Sequence, residues 1–199
     1  EQSGLIGPVG LWVLREACAS ATLLDRARGG ALGPAWSLSV NASIAQLEQP
    51  GFARAVERIL AETGWAPARL ELEVTESIQL LQGEAVLANV AALGALGIRF
   101  ALDDFGTGYA SFGHLDRLGF SRLKIDRSLI HRLEHEPGRR PLTQAIIALG
   151  HALGLAVTAE GVETAGQMST LAGQGCDAVQ GFLLARPEPA ASLAGVLAL

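Results

Sequence analysis

The sequence predicts an α/β protein built on a parallel sheet with helical crossovers. Three observations predict it. Short apolar runs alternate with helical patterns along the whole chain, glycines close most of the helical patterns, and each strand-like run ends in a polar residue. Residues 5–28 read as a helix, with Leu11, Val13, Leu14, Cys18 and Leu23 on or near one side, closed by Gly29-Gly30. Residues 36–41 read as a strand, 52–63 as a helix stopped by Gly64, and 70–76 as a strand. A helix over 84–96 ends at Gly97; a strand over 98–104 and a short helix over 111–118 follow, before Gly119. Strand 122–126 leads into a charged loop at 134–140, then a helix over 141–153 that begins on Pro141 and stops at Gly154. Strand 156–160, helix 164–173, strand 178–182 and a last helix over 189–197 complete the chain.

This gives six β units, each followed by a helix. A closed β/α barrel needs eight strands and typically about 250 residues. The pattern therefore fits an open sheet, or a barrel whose first two strands lie upstream of Glu1. No linker or second composition zone interrupts the 199 residues, so one domain over 1–199 is expected.

Composition narrows the function. Hydrophobic residues make up 49% and charged residues 18%, with a mean hydropathy of +0.31, which excludes a disordered, highly charged chain. Fifteen Lys+Arg against twenty Asp+Glu give −5, which argues against DNA or RNA as a partner. No apolar run reaches the ~18 residues of a membrane span; the longest, over 86–98 and 145–157, are broken by Asn89 and His151. Cys18 and Cys176 match no zinc or redox spacing and read as reduced, buried thiols. Trp12, Trp36 and Trp65 read as packing residues, and His131 and His135 as solvated ones. Lys124 is the only lysine, against fourteen arginines.

The polar strand ends are Asn41, Glu73 with Glu76, Asp103-Asp104, Lys124 with Asp126, Glu160 and Gln180. In β/α barrels the C-terminal strand ends converge on the face where chemistry is done. Side chains alternate along a strand. With Glu73 inward, Glu71 and Thr75 point in while Leu70, Leu72 and Val74 point out. The same count turns Ser39, Asn41, Arg99, Asp103, Arg122, Lys124 and Asp126 inward. Glu71 is expected to pair with Arg99, because an unpaired buried charge costs several kcal/mol.

Glu73, Asp103, Asp104 and Glu160 would repel one another if gathered without counter-charge. Mg²⁺ or Mn²⁺ resolves this, since hard cations prefer carboxylate and amide oxygens, and Asn41 offers an amide oxygen. Adjacent Asp103 and Asp104 can serve two metals if the strand ends there and the backbone turns. Two ions about 3.5–4 Å apart clamp a phosphoester for hydrolysis. Lys124 would then orient a water and help to deprotonate it. Gly106 and Gly108 suit a gating loop beside the metals.

LSVNAS, LELEVTES, ALDDFGTGYASF, RLKIDRSLI, TAEGVET and GCDAVQGFLLARP resemble, in order, the motifs of the EAL-domain family, from about Ser3 to Pro187. The resemblance implies a modified TIM (β/α)8 barrel, with about six of its eight units in this chain. It implies hydrolysis of cyclic di-GMP to linear pGpG with Mg²⁺ or Mn²⁺, two ions in all. It makes Asn41, Glu73, Asp103, Asp104 and Glu160 metal ligands, the last direct or through water. Lys124 positions the attacking water, with Asp103 beside it as base, and Glu160 completes the catalytic set. Gln180 is a further active-site polar group. Glu76 anchors the loop over 104–111, which in the family couples dimerisation to metal binding. A homodimer, a fused sensory or GGDEF domain and a cytoplasmic location, even in a membrane-anchored parent, are also implied. The signature Glu-Ala-Leu segment is absent, and the chain begins at Glu1 rather than Met. The expectation is therefore an active parent enzyme and an inactive fragment. Two other readings stand beside it: an inactive EAL-type receptor for cyclic di-GMP, and a metal-dependent barrel using a lysine base on another substrate.

Overall fold

The computed structural model describes residues 5–29, 33, 36–75, 83–107, 118–136 and 138–196, without the side chains of 194–196. Glu76 and almost all of the predicted helix over 111–118 lie outside the described residues. The chain forms two compact units.

The first unit comprises residues 1–74, 80–99 and 188–199. It holds α1 (Ile6–Ala27), β1 (Leu38–Asn41), α2 (Ile44–Leu47), α3 (Phe52–Thr63), β2 (Leu70–Thr75, of which Thr75 is assigned to the second unit), α4 (Glu84–Ala95) and α8 (Ala190–Val196). β1 and β2 are parallel, with Ser39 opposite Glu71 and Asn41 opposite Glu73. α3 shows why these helices dock. Phe52, Val56, Ile59 and Leu60 fall on one buried face, Arg54, Glu57 and Arg58 on the other, and Gly64 ends the helix in the left-handed region. α1 buries Leu14, Cys18, Ala21 and Leu24, but Val13 and Leu23 of the predicted apolar side are exposed. Trp12 is 60% exposed, so it is not the packing residue expected; Trp36 and Trp65 are, meeting edge to face with ring centroids 5.6 Å apart. Arg69 stacks on Trp65 and ion-pairs with Asp25 at 2.7 Å.

α2 was not predicted from the sequence. Four residues are too few for a periodic signal, and the helix is made by a capping box in which Ser43 and Gln46 bond each other's backbone N–H. Asn89, which breaks the apolar run of α4, is buried. Its Oδ1 accepts from Ala53 N at 3.1 Å and its Nδ2 donates to Leu47 O and Gln49 O at 2.8 and 2.9 Å. It supplies the backbone partners that the turn from α2 to α3 lacks.

The second unit comprises residues 75–79 and 100–187. It holds β3 (Arg99–Phe105, from Phe100 on), β4 (Arg122–Ile125), α5 (Arg127–His131), α6 (Arg139–Ala152), β5 (Ala156–Ala159), α7 (Ala165–Gly173) and β6 (Ala178–Val179). Its strands are parallel and follow chain order. Leu102, Leu123, Ile125, Ile130, Ile147, Val157 and Val162 make its core. Two expectations change here. Asp126 is not an inward strand residue; it caps α5, its Oδ1 accepting from Ser128 N at 2.9 Å. α6 begins at Arg139, leaving Pro141 in the first turn, where a missing N–H costs nothing. Both cysteines are free thiols: Cys18 is fully buried, which pushes its pKa up to about 11, and Cys176 is half-buried. At the start of β6, Asp177 Oδ2 accepts from Val157 N at 2.7 Å and meets His151 Nε2 at 2.9 Å.

Asn89→Ala should cost about 3 kcal/mol, because it strands three backbone groups, while exposed Leu87→Ala stays within about 0.5 kcal/mol; urea unfolding measures both. The Val157 amide and then His151 hold the Asp177 carboxyl below its ordinary value of 3.8. A lowered pKa gives stability above the ordinary value that is lost as pH falls through the folded one. Because Asp177 is exposed and screened by solvent, Asp177→Ala should cost no more than about 0.5 kcal/mol at neutral pH, and the gap to the unsubstituted protein should close below pH 3.8. Thermal unfolding across pH 3–7 checks this.

Candidate metal centre

The site in the second unit begins with an irregularity in β3. Leu102 pairs with Leu123 and Phe105 with Ile125, so Asp103 and Asp104 together stand opposite Lys124. Two residues facing one make a β-bulge. Asp104 takes φ +56°, a left-handed conformation that Asp tolerates better than most residues. In a regular strand these neighbouring carboxylates would point to opposite faces. The bulge cancels that alternation. Carboxylate oxygens of Asp103, Asp104 and Glu160 all lie within 4.8 Å of one another. The backbone turn expected at a strand end is thus made inside β3, which continues to Phe105.

Lys124, on β4, is 4% exposed. Its Nζ lies 3.2 Å from Asp103 Oδ1 and 2.5 Å from Glu160 Oε1. Asp104 N donates to Asp103 Oδ1 at 3.0 Å. Burial, then the charges of Asp103 and Asp126, raise the Asp104 pKa above its ordinary value, against the lowering effect of Lys124 and Arg127. Glu160 follows β5 directly, its N–H donating to Ile125 O at 3.1 Å, and Gln180 follows β6, its N–H donating to Ala159 O at 2.8 Å. The Gln180 side chain is exposed.

In the first unit, Asn41 and Glu73 are register partners, with Glu73 buried and Asn41 exposed. Ser39 Oγ donates to Glu71 Oε1 at 3.2 Å. Arg99 Nε has no hydrogen-bond partner among the described residues. Two residues not singled out from the sequence bear on the cluster. Arg127 acts on Asp104 by its charge, and Thr158, the register partner of Lys124, accepts from Arg122. Counting parity along VTAE would have found Thr158.

Three carboxyl groups gather around one ammonium. Oxygen donors gathered in this way suit a hard divalent cation, so the donor set fits one. Removing the ammonium uncovers the carboxylates. Lys124→Ala should lower stability by about 3 kcal/mol, and millimolar MnCl2 should restore part of the loss; urea unfolding with and without the metal measures both.

The EAL domain family model matches residues 1–187. The bifunctional diguanylate cyclase/cyclic di-GMP phosphodiesterase MucR of Pseudomonas aeruginosa is 43% identical over 194 residues, which is 97% of this chain and 28% of MucR. The chain spans about a quarter of the length of the curated relatives it matches. The cyclic di-GMP complex of the MucR phosphodiesterase has a TM-score of 0.88 at 42% identity, covering 97% of this chain and 76% of that one. Klebsiella pneumoniae BlrP1, in a complex with manganese and cyclic di-GMP, has a TM-score of 0.75 at 27% identity over 89% of this chain and 45% of that one. The fold class is therefore the α/β, TIM-like barrel type of EAL structures, represented among the described residues by six strands and the helices that connect them. With a family model matched over nearly its whole length, the chain belongs to the EAL domain family.

Proposed function

We propose that this chain is the phosphodiesterase module of a protein that hydrolyses cyclic di-GMP to linear pGpG. The observation that carries the reading is the bulge that sets Asp103 and Asp104 against Lys124, with Glu160 closing the cluster. MucR, a phosphodiesterase by name and 43% identical, supports the substrate. Asn41, Glu73, Asp103, Asp104 and Glu160 would hold two divalent cations, Mg²⁺ or Mn²⁺. When bound, such ions neutralise phosphate charge and acidify water.

The chain's own residues supply the rest. The Lys124 ammonium, held between Asp103 and Glu160, orients the attacking water. Asp103 accepts the proton as the water attacks phosphorus, the leaving ribose oxygen takes a proton from solvent as the P–O bond breaks, and Asp103 then returns its proton to solvent. Gln180 binds the dinucleotide from its exposed strand end, and Glu76 anchors the loop over 104–111. One EAL-type domain spans residues 1–199. A homodimer, fused input or GGDEF domains and a cytoplasmic location complete the proposal. The second activity in MucR's name supports the fused domain. No helix among the described residues is long and apolar enough to cross a membrane.

The test is incubation of the full-length protein with cyclic di-GMP and Mg²⁺ or Mn²⁺, separating products by chromatography. Metal-dependent pGpG is expected, absent in Glu73→Ala, with kcat at least about 10²-fold lower in Lys124→Ala. Tight binding of cyclic di-GMP with no pGpG would establish a receptor instead. Neither binding nor turnover would assign the cluster to another substrate.

A further inference from the structure

The loop after β5 and the loop after β6 are joined at the backbone. Val162 N donates to Gln180 O at 3.0 Å, and Leu183 N returns a bond to Val162 O at 3.0 Å. Val162 is fully buried between them. The residue at the crossing is Gly181. A Cβ there would fall inside van der Waals contact of Val162 N and O, and 2.8 Å from its carbonyl carbon. The obstacle is main chain, which cannot swing aside as a side chain can.

The joint lies between two residues that need fixing. Glu160 is two residues before Val162, and Gln180 directly precedes Gly181. The remainder of the first loop is also pinned. Gly161 packs against Arg127, where a Cβ would come within 2.5 Å of the Arg127 Cβ. Glu163 N donates to Gln167 Oε1 at 2.7 Å, inside the capping box of α7. The bonds at Val162 tie the Glu160 loop to the Gln180 loop, beyond the strand bond from Gln180 N to Ala159 O. We propose that Gly181 is a positioning residue: by lacking a side chain it lets the two loops clasp, which sets the Glu160 carboxylate and the Gln180 amide at the heights their roles require. The inference rests on the phosphodiesterase reading for those roles.

The experiment compares Gly181→Ala with Gly173→Ala in the full-length protein. Gly173 lies on α7 with nothing near its missing side chain, and serves as the control. Mn²⁺ binding is read by electron paramagnetic resonance, and kcat and KM for cyclic di-GMP are read separately. Supporting residues around a metal site usually cost about 10–100-fold in affinity when altered. Gly181→Ala should lose that much Mn²⁺ affinity well below its unfolding temperature, with kcat lower and KM higher, while Gly173→Ala changes neither. A folded Gly181→Ala with unchanged metal affinity and kinetics would overturn the proposal. If Gly181→Ala does not fold, hydrogen exchange on the unsubstituted protein decides. The Val162 and Leu183 amides should be protected, and Mn²⁺ should slow both together. Exchange of the Leu183 amide at an unprotected rate, or indifferent to Mn²⁺, overturns the clasp. An unsubstituted protein that neither binds Mn²⁺ nor makes pGpG would remove the phosphodiesterase reading itself.

Discussion

One buried ammonium governs the second unit. Lys124 is the only lysine in the chain, and its Nζ lies between two carboxylates with a third close by. Withdrawing such groups from water costs several kcal/mol per ion unless they satisfy one another. The scaffold must therefore hold them to tight tolerances. Leu123 and Ile125, on either side of Lys124, are fully buried and fix β4 in place, so the ammonium cannot retreat to solvent without undoing the core. The bulge in β3 is the complementary device, presenting two consecutive acids to that one cation. A neutral substitute at position 124 would leave the acids without their internal counter-charge.

The two ends of the parallel strands carry different burdens. At the strand starts, Asp177 ties β5, β6 and the end of α6 together through Val157 and His151. At the strand ends, Asp103, Asp104, Lys124 and Glu160 gather polar groups, and Gln180 follows β6. In β/α folds in general, stability and chemistry are divided between the two ends of the strands.

The alternation of in and out along the strands was legible because one face is apolar and the period is two. Leu70, Leu72, Leu102 and Leu123 all fall where that count puts them, in the core. The register of Ser39 with Glu71, and of Asn41 with Glu73, follows from the same pattern. The bulge was not legible, since an extra residue leaves no mark on composition or spacing. Asp126 was misplaced for a related reason: a two-residue count runs on past the strand, whereas an acid before Arg-Ser can equally start a helix. On α1 the apolar residues cover more than one side, so periodicity could not decide between buried Leu14 and exposed Leu23. The clasp at Gly181 is made of main-chain bonds, to which side-chain identity is almost silent.

The two cysteines fall one in each compact unit. A thiol reacts with alkylating or disulfide reagents as its thiolate, and only when reagent can reach it. Cys18, fully buried on α1 and held protonated to about pH 11, becomes reactive only when α1 lifts from its neighbours. Half-buried Cys176 lies at the end of α7, just before β6. The chain thus carries a separate chemical clock for each half of its core. Pulse labelling followed by mass spectrometry would time the opening of each unit without an introduced probe.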